Sequence, residues 1–554
     1  MRTLKIYCKN LDRYIDASGG DTLLDIYFRI SAQLPFTPIC ARVNNKTEDL
    51  NFPVYAPKVV EFLPITSDSG QRCYIRSLCM VLYKAVHDLM PGVTLRIEHS
   101  ISRGYYCRLI DFEPDEADVE RIRAHMAAII RSDMRFERHE MLTKDVIDIF
   151  RSQGLEDKVT LLSTRHELYT VFYRLGGLAD SYYGALAPST GLLRTFDLRR
   201  YKEGFLLTGF DMANPDVPPQ HITQEKMYRA FTDYLAFNRI VGVRDVGELN
   251  RAVNEGRSAM LINVSEALHD KRISTIADAI TERFRQGGAR VVLIAGPSSS
   301  GKTTFTKRLA IHLITNLIEP QMISLDDYFV DRAHTPRDES GEYDYESLYA
   351  LDIKQFNKDL NALINGEEVE LPYYNFATGE REYRGNRIKL GDRSILLIEG
   401  IHGLNPELTE QVPHDMKYRV YVSALTTISI DDHNWIPTTD NRLLRRIIRD
   451  AKYRGTDAAS TIRRWPSVRR GEERWIFPYQ ENADSTFNSS LLFELGVMKE
   501  RGEDILKRVP HDMPEHAEAS RLRTFLSYFS PISEEFIPST SLIREFLGGS
   551  SFKY

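Results

Sequence analysis

Eight consecutive residues, Gly296-Pro297-Ser298-Ser299-Ser300-Gly301-Lys302-Thr303, constrain this chain more than anything else in it. They fit the pattern G-x-x-x-x-G-K-[ST] completely. The apolar run VVLIA precedes them, and the helical pattern TFTKRLAIHLI follows. The glycines let the backbone curl so that successive N–H groups point at phosphate oxygens, and the helix start adds its positive dipole end at the same point. Such a loop needs a buried strand beneath it. Two further apolar runs, SILLIEG and YRVYVSA, alternate with helical segments, which predicts a parallel sheet covered on both faces. The expected nucleotide cradle is Gly296, Ser298, Ser299, Ser300, Gly301, Lys302, Thr303 and Thr304. Lys302 is placed to reach the β- and γ-phosphates, and the Thr303 hydroxyl to complete a Mg²⁺ shell, so ATP and Mg²⁺ are the expected cofactors.

The loop alone does not separate a kinase from a motor or a switch; later segments do. In ISLDDYF, Asp326 falls at the end of a second strand, beside the phosphates, where a carboxylate can take a proton from an attacking hydroxyl or bind the metal. The apolar run 395–398 leads into Glu399, a second acid suited to Mg²⁺, and His402 beyond it reads as a packing residue, with a catalytic role as the alternative. Between Arg442 and Arg474 lie ten arginines and one lysine. Arg442, Arg446 and Arg449 recur at helical spacing with Arg445 alongside. A basic helix closing over a triphosphate would neutralise developing charge and exclude water, as a kinase requires.

At 554 residues the chain is too long for one core and should form three or four domains. Its formal net charge of −6 argues against a dedicated nucleic-acid binder but leaves a local basic patch open. No apolar run approaches a membrane span, and MRTLKIYCKN lacks a signal core, so a cytoplasmic protein is expected. Cys8, Cys40, Cys73, Cys79 and Cys107 match no zinc or redox spacing and read as free, buried thiols.

Along the chain, 1–64 is short and strand-rich, with LKIYC, ARVNN and VVEFLPI as strands and TLLDIYFRIS as a helix. Ser67-Asp68-Ser69-Gly70 reads as a turn or linker. Residues 65–225 mix helices such as ADVERIRAHMAAIIRSDM with strands and end at the stiff Asn214–Pro219 stretch. Residues 226–287 form a helical connector, 288–495 the phosphate-loop domain, and 496–554 a helical segment with a polar tail. No internal repeat is present.

These motifs, over about 288–490, resemble the uridine kinase and phosphoribulokinase family of P-loop kinases. The resemblance makes Asp326 the catalytic base and Lys302, Arg446 and Arg449 its partners in phosphoryl transfer. Arg446, Arg449 and Arg454 fall in the family's basic lid, with Arg454 also near the nucleotide. Glu346 in YESLYALD matches the carboxylate that holds the ribose hydroxyls, with Asp344 as the competing choice if the register slips by two. Tyr374 in PYYNF matches an aromatic of the nucleoside pocket, and Arg446 is a further substrate contact. Where uridine kinases carry a pyrimidine-reading histidine, this chain has Gly379, and Arg464 stands in place of a glutamine near the base.

The first 225 residues resemble the N-terminal half of threonyl-tRNA synthetase: a small β-grasp TGS-like domain, then an editing-like α+β domain carrying MPGVTLRIEHSISRGYYCRL and DSYYGALAPST. The H-x-x-x-H pair of that domain is replaced by Arg76 and Met80, and its later Cys and His by Tyr182 and Leu186. No imidazole or thiolate remains for zinc, so no metal and no editing chemistry are expected there. The full order of domains resembles a bacterial family described as nucleoside kinases, and the expected activity is transfer of the ATP γ-phosphate to a nucleoside 5′-hydroxyl. The C-terminal motif SLIREFLGGSSF also fits that bacterial family, and its sequence carries no chemical role of its own. A regulatory tRNA- or ribosome-associated NTPase, with RNA contacted through the N-terminal domains, and a phosphoribulokinase-like kinase of another small hydroxylated substrate are the alternatives. A homo-oligomer is expected, and no membrane partner.

Overall fold

A computed structural model describes residues 3–339 and 341–553. Its first sheet has five strands in the spatial order Arg13–Ser18, Thr3–Cys8, Val59–Leu63, Cys40–Val43 and Lys46–Glu48. The helix Leu23–Ile30 covers one face with Leu23, Ile26 and Ile30. A reciprocal capping box starts it: the Thr22 side chain accepts from the Asp25 amide, and Asp25 accepts from the Thr22 amide.

The second region holds a four-stranded and a three-stranded antiparallel sheet around the helix Asp68–Leu89. The expected linker Ser67-Asp68-Ser69-Gly70 is in fact the start of that helix, because Ser67 Oγ caps it by accepting from the Gly70 amide at 3.1 Å. The turn residues were N-cap chemistry. All five cysteines are free and buried. Three helices, Glu225–Val241, Val246–Asn254 and Ser258–Arg285, follow.

The third sheet is wholly parallel, in the order Glu319–Ser324, Ser394–Glu399, Val291–Ala295, Lys417–Ser423 and Ser485–Asn488. Every residue of Val291–Ala295 is buried, as expected of a strand with helices on both faces. Ile294 and Ser324 both lie opposite Glu399. The carboxyl ends of three strands therefore stop at one level, which is where open α/β sheets hold their ligands.

This half of the molecule reaches into the other. The hairpin Ser429–Asp431 and Asn434–Trp435 projects from it, Asp432 accepts from the Ile97 amide at 2.8 Å, and Trp435 joins the apolar core of the second region.

The C-terminal segment departs from the helical expectation. Glu494–Lys507 and His516–Leu526 are helices, but the chain then runs irregularly to a single turn, Arg544–Leu547. Leu542, Ile543, Phe546 and Leu547 are fully buried in the core of the third region, so this stretch is held by packing and needs no helical ladder. No helix among the described residues is long and apolar enough to cross a membrane.

Candidate active site

The phosphate loop leaves the central strand at Gly296. A Cβ there would sit 1.9 Å from the Val422 carbonyl oxygen, so only glycine allows the neighbouring strand this close. Ser299 and Gly301 are left-handed, with φ of 60° and 84°. The helix Lys302–Thr315 then begins. Ser299 Oγ and Ser300 Oγ are buried with no hydrogen-bond partner, and Lys302 Nζ folds back on the Pro297 carbonyl at 3.2 Å. Ser299 and Ser300 thus carry hydroxyl donors unfilled among the described residues, on a loop of phosphate-binding pattern.

The loop is braced from behind by two arginines. Arg442 Nε donates to the Ser298 carbonyl at 2.9 Å, and Arg445 Nη1 to the Ser299 carbonyl at 3.4 Å. Each is fully buried and paired with a buried glutamate, Arg442 with Glu472 and Arg445 with Glu494. Those bonds fix the carbonyls of Ser298 and Ser299 on the arginine side of the loop, while the Ser300 amide closes the turn on the Pro297 carbonyl at 3.2 Å. The expected basic face of the helix Thr438–Tyr453 is thus divided: Arg442 and Arg445 build the loop and do not belong to a lid.

Arg446, Arg449 and Arg454 occupy the other side. Arg446 Nη1 donates to Ser298 Oγ at 2.9 Å. Buried Asp450 gathers all three, at 3.5, 2.9 and 3.6 Å respectively. Burial pulls the Arg446 guanidinium below its ordinary range against the attraction of Glu346, and burial with the neighbouring Arg449 does the same to Arg454. Burial thus disfavours the charge on Arg446 and Arg454 even with Asp450 beside them.

The carboxylates opposite them are short of positive charge. Thr303 Oγ1 donates to Glu399 Oε1 at 3.0 Å. Burial pushes Glu399 up to about 7, with Asp326 adding to the shift and Lys302 and Thr303 opposing it. Burial also pushes Glu346 up to about 7; Arg446 and Lys302 oppose it, while Glu472 and Asp326 add to it. Glu346 Oε2 is buried without a partner. Asp326 itself is exposed at the cleft, on a turn that follows Glu319–Ser324, with its amide bonded to Ser324 Oγ at 3.3 Å. Lys302, Thr303, Asp326, Glu346, Glu399 and Arg446 are thereby brought together.

Asp344 is not part of that group. It accepts from the Glu346 amide at 3.1 Å, and the charges it feels are Asp338 and Arg474. Of the two acids, Glu346 is the one facing Lys302 and Arg446. Gly471 lets the helix Ala458–Trp475 press against it, since a Cβ there would lie 2.3 Å from Glu346 Cβ.

Tyr374 is buried with its hydroxyl unpartnered, its ring 5.5 Å from Phe329 and 5.1 Å from Phe376. Gly379 has φ 79°, and a Cβ there would lie 2.8 Å from Arg332 Cβ and Nε. The space where the resemblance puts a base-reading histidine is filled by Arg332, whose Nη2 donates to the Phe376 carbonyl at 2.7 Å. Arg464 lies 5.9 Å from the Tyr345 ring. His402 is buried beside Trp475, and burial lowers it to about 4, so it is neutral.

Residues 291–491 match the profile of the Phosphoribulokinase / Uridine kinase family. The uridine kinase of Staphylococcus aureus (strain JH9) is 30% identical over 195 residues, which cover 35% of this chain and 84% of that protein. This chain belongs to the phosphoribulokinase / uridine kinase family. It is a P-loop kinase by that membership. Family members aside, the N-terminal region is similar to the threonine–tRNA ligase of Desulforamulus reducens, 31% identical over 184 residues. That match covers 32% of this chain and only 28% of the ligase. A solved structure titled "Possible Uridine Kinase" from Bacillus stearothermophilus is 21% identical and aligns over 39% of this chain and 98% of its own, with a TM-score of 0.27.

Glu545, in SLIREFLGG, accepts from Thr304 Oγ1 at 2.6 Å and from the Thr304 amide at 3.3 Å. The C-terminal turn thus touches the first turn of the phosphate-loop helix, and Leu542 packs where a Cβ on Gly301 would fall. No spacing in the sequence announces a contact across 241 residues.

Proposed function

We propose that the chain transfers the γ-phosphoryl group of ATP to the 5′-hydroxyl of a nucleoside. The observation that carries this is the charge imbalance at the carboxyl ends of the sheet. Arg446 and Arg454, lowered chiefly by burial, stand with Lys302 against carboxyl groups raised to about 7 (Glu346, Glu399), and Asp326 adds its charge to both carboxyls.

The phosphates of ATP fit the unpartnered hydroxyls of Ser299 and Ser300 and the start of the helix Lys302–Thr315. Thr303 and Glu399, 3.0 Å apart, form a donor pair suited to Mg²⁺, and Glu399 lacks the positive charge that the ion brings. Mg²⁺ supplies neutralisation of the β- and γ-phosphate oxygens. Glu346 holds the ribose hydroxyls through the oxygen that has no partner, and Tyr374 and Phe376 flank the nucleoside. Asp326 takes the hydroxyl proton as the O5′–phosphorus bond forms and the bond to the β-phosphate oxygen breaks, releasing ADP. Lys302 and Arg446 spread the charge of the loose transition state.

The pocket lacks a histidine that would single out a pyrimidine, and Arg332 occupies its place. A site without a polar reader discriminates weakly between bases, so several nucleosides should be accepted. The test is a product screen of purified protein with Mg·ATP against the common nucleosides and against sugar phosphates. Nucleoside monophosphate formation supports the reading. Phosphorylation of a sugar phosphate alone, or ATP hydrolysis stimulated by tRNA without any phosphorylated nucleoside, refutes it.

A further inference from the structure

A cavity of about 740 Å³ lies away from the phosphate loop, between the second region and the C-terminal helices, and no residue of 296–303 lines it. Its size falls within the roughly 300–1,000 Å³ range of ligand sites. Nine lysines or arginines and five aspartates or glutamates line it. Most of the cations are already paired. Arg72 meets Glu518 at 3.1 Å, Arg138 meets Asp49 at 3.3 Å, and Arg521 meets Asp440 and Glu518 at 2.6 Å each.

Arg76 is different. It is only 6% exposed, yet among the described residues no carboxylate lies within ion-pairing distance of it. Nε and Nη2 both donate to the Ala185 carbonyl, at 3.2 and 3.0 Å, which fixes the guanidinium without neutralising it. Gly184 makes the seat, because a Cβ there would lie 2.6 Å from Arg76 Cζ. A buried guanidinium without a counter-charge is costly to keep, and a cavity that brings an anion to it removes the cost. Arg523 and Lys507, on the helical wall opposite, also have no carboxylate partner among the described residues. Aromatic surface completes the lining: Tyr183 lies 5.9 Å from Arg76, and Tyr528 carries Arg165 at 4.0 Å from its ring.

We infer that this cavity is a second ligand site, built to take a phosphate-bearing mononucleotide, with its phosphate on Arg76, Arg523 and Lys507 and its base against Tyr183 and Tyr528. The inference is independent of which acceptor the kinase uses. The site stands one ion pair from the catalytic arginines, since Arg521 on its wall binds Asp440, in the first turn of the helix that carries Arg446.

The test uses the full chain with the phosphate loop saturated by a non-hydrolysable ATP analogue and Mg²⁺. AMP, pyrophosphate and adenosine are then titrated separately by calorimetry. AMP should bind at one saturable additional site, pyrophosphate more weakly, and adenosine weaker than AMP by about 10-fold or more. R76M, and separately the double variant R523A/K507A, should each weaken AMP by about 10- to 100-fold while leaving basal kinase activity unchanged. R523A/K507A alters partly exposed side chains, so it decides the matter if R76M does not fold. Binding that neither substitution changes belongs to the acceptor cleft and overturns the assignment. So does adenosine binding as tightly as AMP, or an RNA oligonucleotide binding where AMP does not.

Discussion

Lys158 and Lys302 each stand in a cluster of buried charge, one closed and the other open. Lys158 Nζ lies 2.9 Å from Asp180 and 2.9 Å from Asp431, and His433 Nδ1 lies 2.8 Å from the second oxygen of Asp180. Burial opposes the charge on Asp180, yet Lys158 and His433 more than offset it and hold the carboxyl below its usual range. Asp431 and His433 come from the projecting hairpin, so this cluster rivets the two halves of the molecule together. Lys302 has no such closure: its amine rests on a backbone carbonyl, while Glu346 and Glu399 stay raised to about 7. The closed cluster gives its lysine two direct carboxylate partners, although burial still raises Asp431, whereas Lys302 has no direct ion pair among the described residues; a site keeps such an imbalance for a ligand to satisfy.

The largest expected effect tests the open cluster. D326A should lower kcat by about 10²–10⁴-fold while ATP affinity changes little, because general-base catalysis contributes in that range. Steady-state rates and calorimetric ATP binding measured together check this. An unchanged kcat removes Asp326 from the role of base.

K158M comes next and tests the closed cluster. It leaves Asp180 and Asp431 buried without their lysine, a loss of about 3–5 kcal/mol. K302M should abolish phosphate transfer with a far smaller change in thermal unfolding. If the two variants melt alike, the contrast between the clusters fails.

The third prediction concerns pH. The ordinary value for a glutamate is 4.5, and Glu346 and Glu399 are raised to about 7 in the folded chain, chiefly by burial. The folded state binds protons more tightly than the unfolded state, so their contribution to stability is full below pH 4.5 and lost as pH rises through about 7. The ligand-free melting temperature should fall across that window, and E346Q should flatten the fall. Mg·ATP should bind more tightly at pH 8 than at pH 6, with protons released on binding. A slope that E346Q leaves intact assigns the titration elsewhere.

The parallel sheet, the phosphate loop and the strand-end positions of Asp326 and Glu399 were legible because each is local: a strand pattern, a loop pattern, a residue at a strand end. The division of the arginine helix was not. Arg442, Arg445 and Arg446 carry the same side chain within five positions, and only their partners Glu472, Glu494 and Ser298, distant in sequence, separate loop braces from site residues. The choice between Asp344 and Glu346 likewise needed the fold. Arg76 could be read as the loss of a metal ligand, but its isolation from any carboxylate was visible only once Gly184 and Ala185 were seen around it.

A smaller effect bears on the base pocket. G379H places a side chain on a left-handed residue and into Arg332, so it should destabilise the chain by about 1–3 kcal/mol. It should not create pyrimidine selectivity, because the new ring has no free space beside Tyr374. Ratios of kcat/KM for uridine against adenosine, with a melting curve, check both halves. A large gain for uridine means that Arg332 yields and the pocket is open.

The smallest effect asks whether the open cluster is tuned from outside. Glu545 reaches the Thr304 amide and hydroxyl from the C-terminal turn, and it is among the charges that raise Glu399. A carboxylate at the start of the phosphate-loop helix uses the donors and the dipole end that an anionic ligand would use. E545Q keeps the shape and removes the charge. It should lower the KM for Mg·ATP by about two- to five-fold at low ionic strength, and the difference should shrink in high salt, as expected for a repulsion between partly exposed charges. A KM that rises in E545Q shows the opposite balance: the carboxylate then matters more for ordering the first turn of the helix than for repelling phosphate, and the C-terminal turn belongs with Arg442 and Arg445 as part of the loop's support.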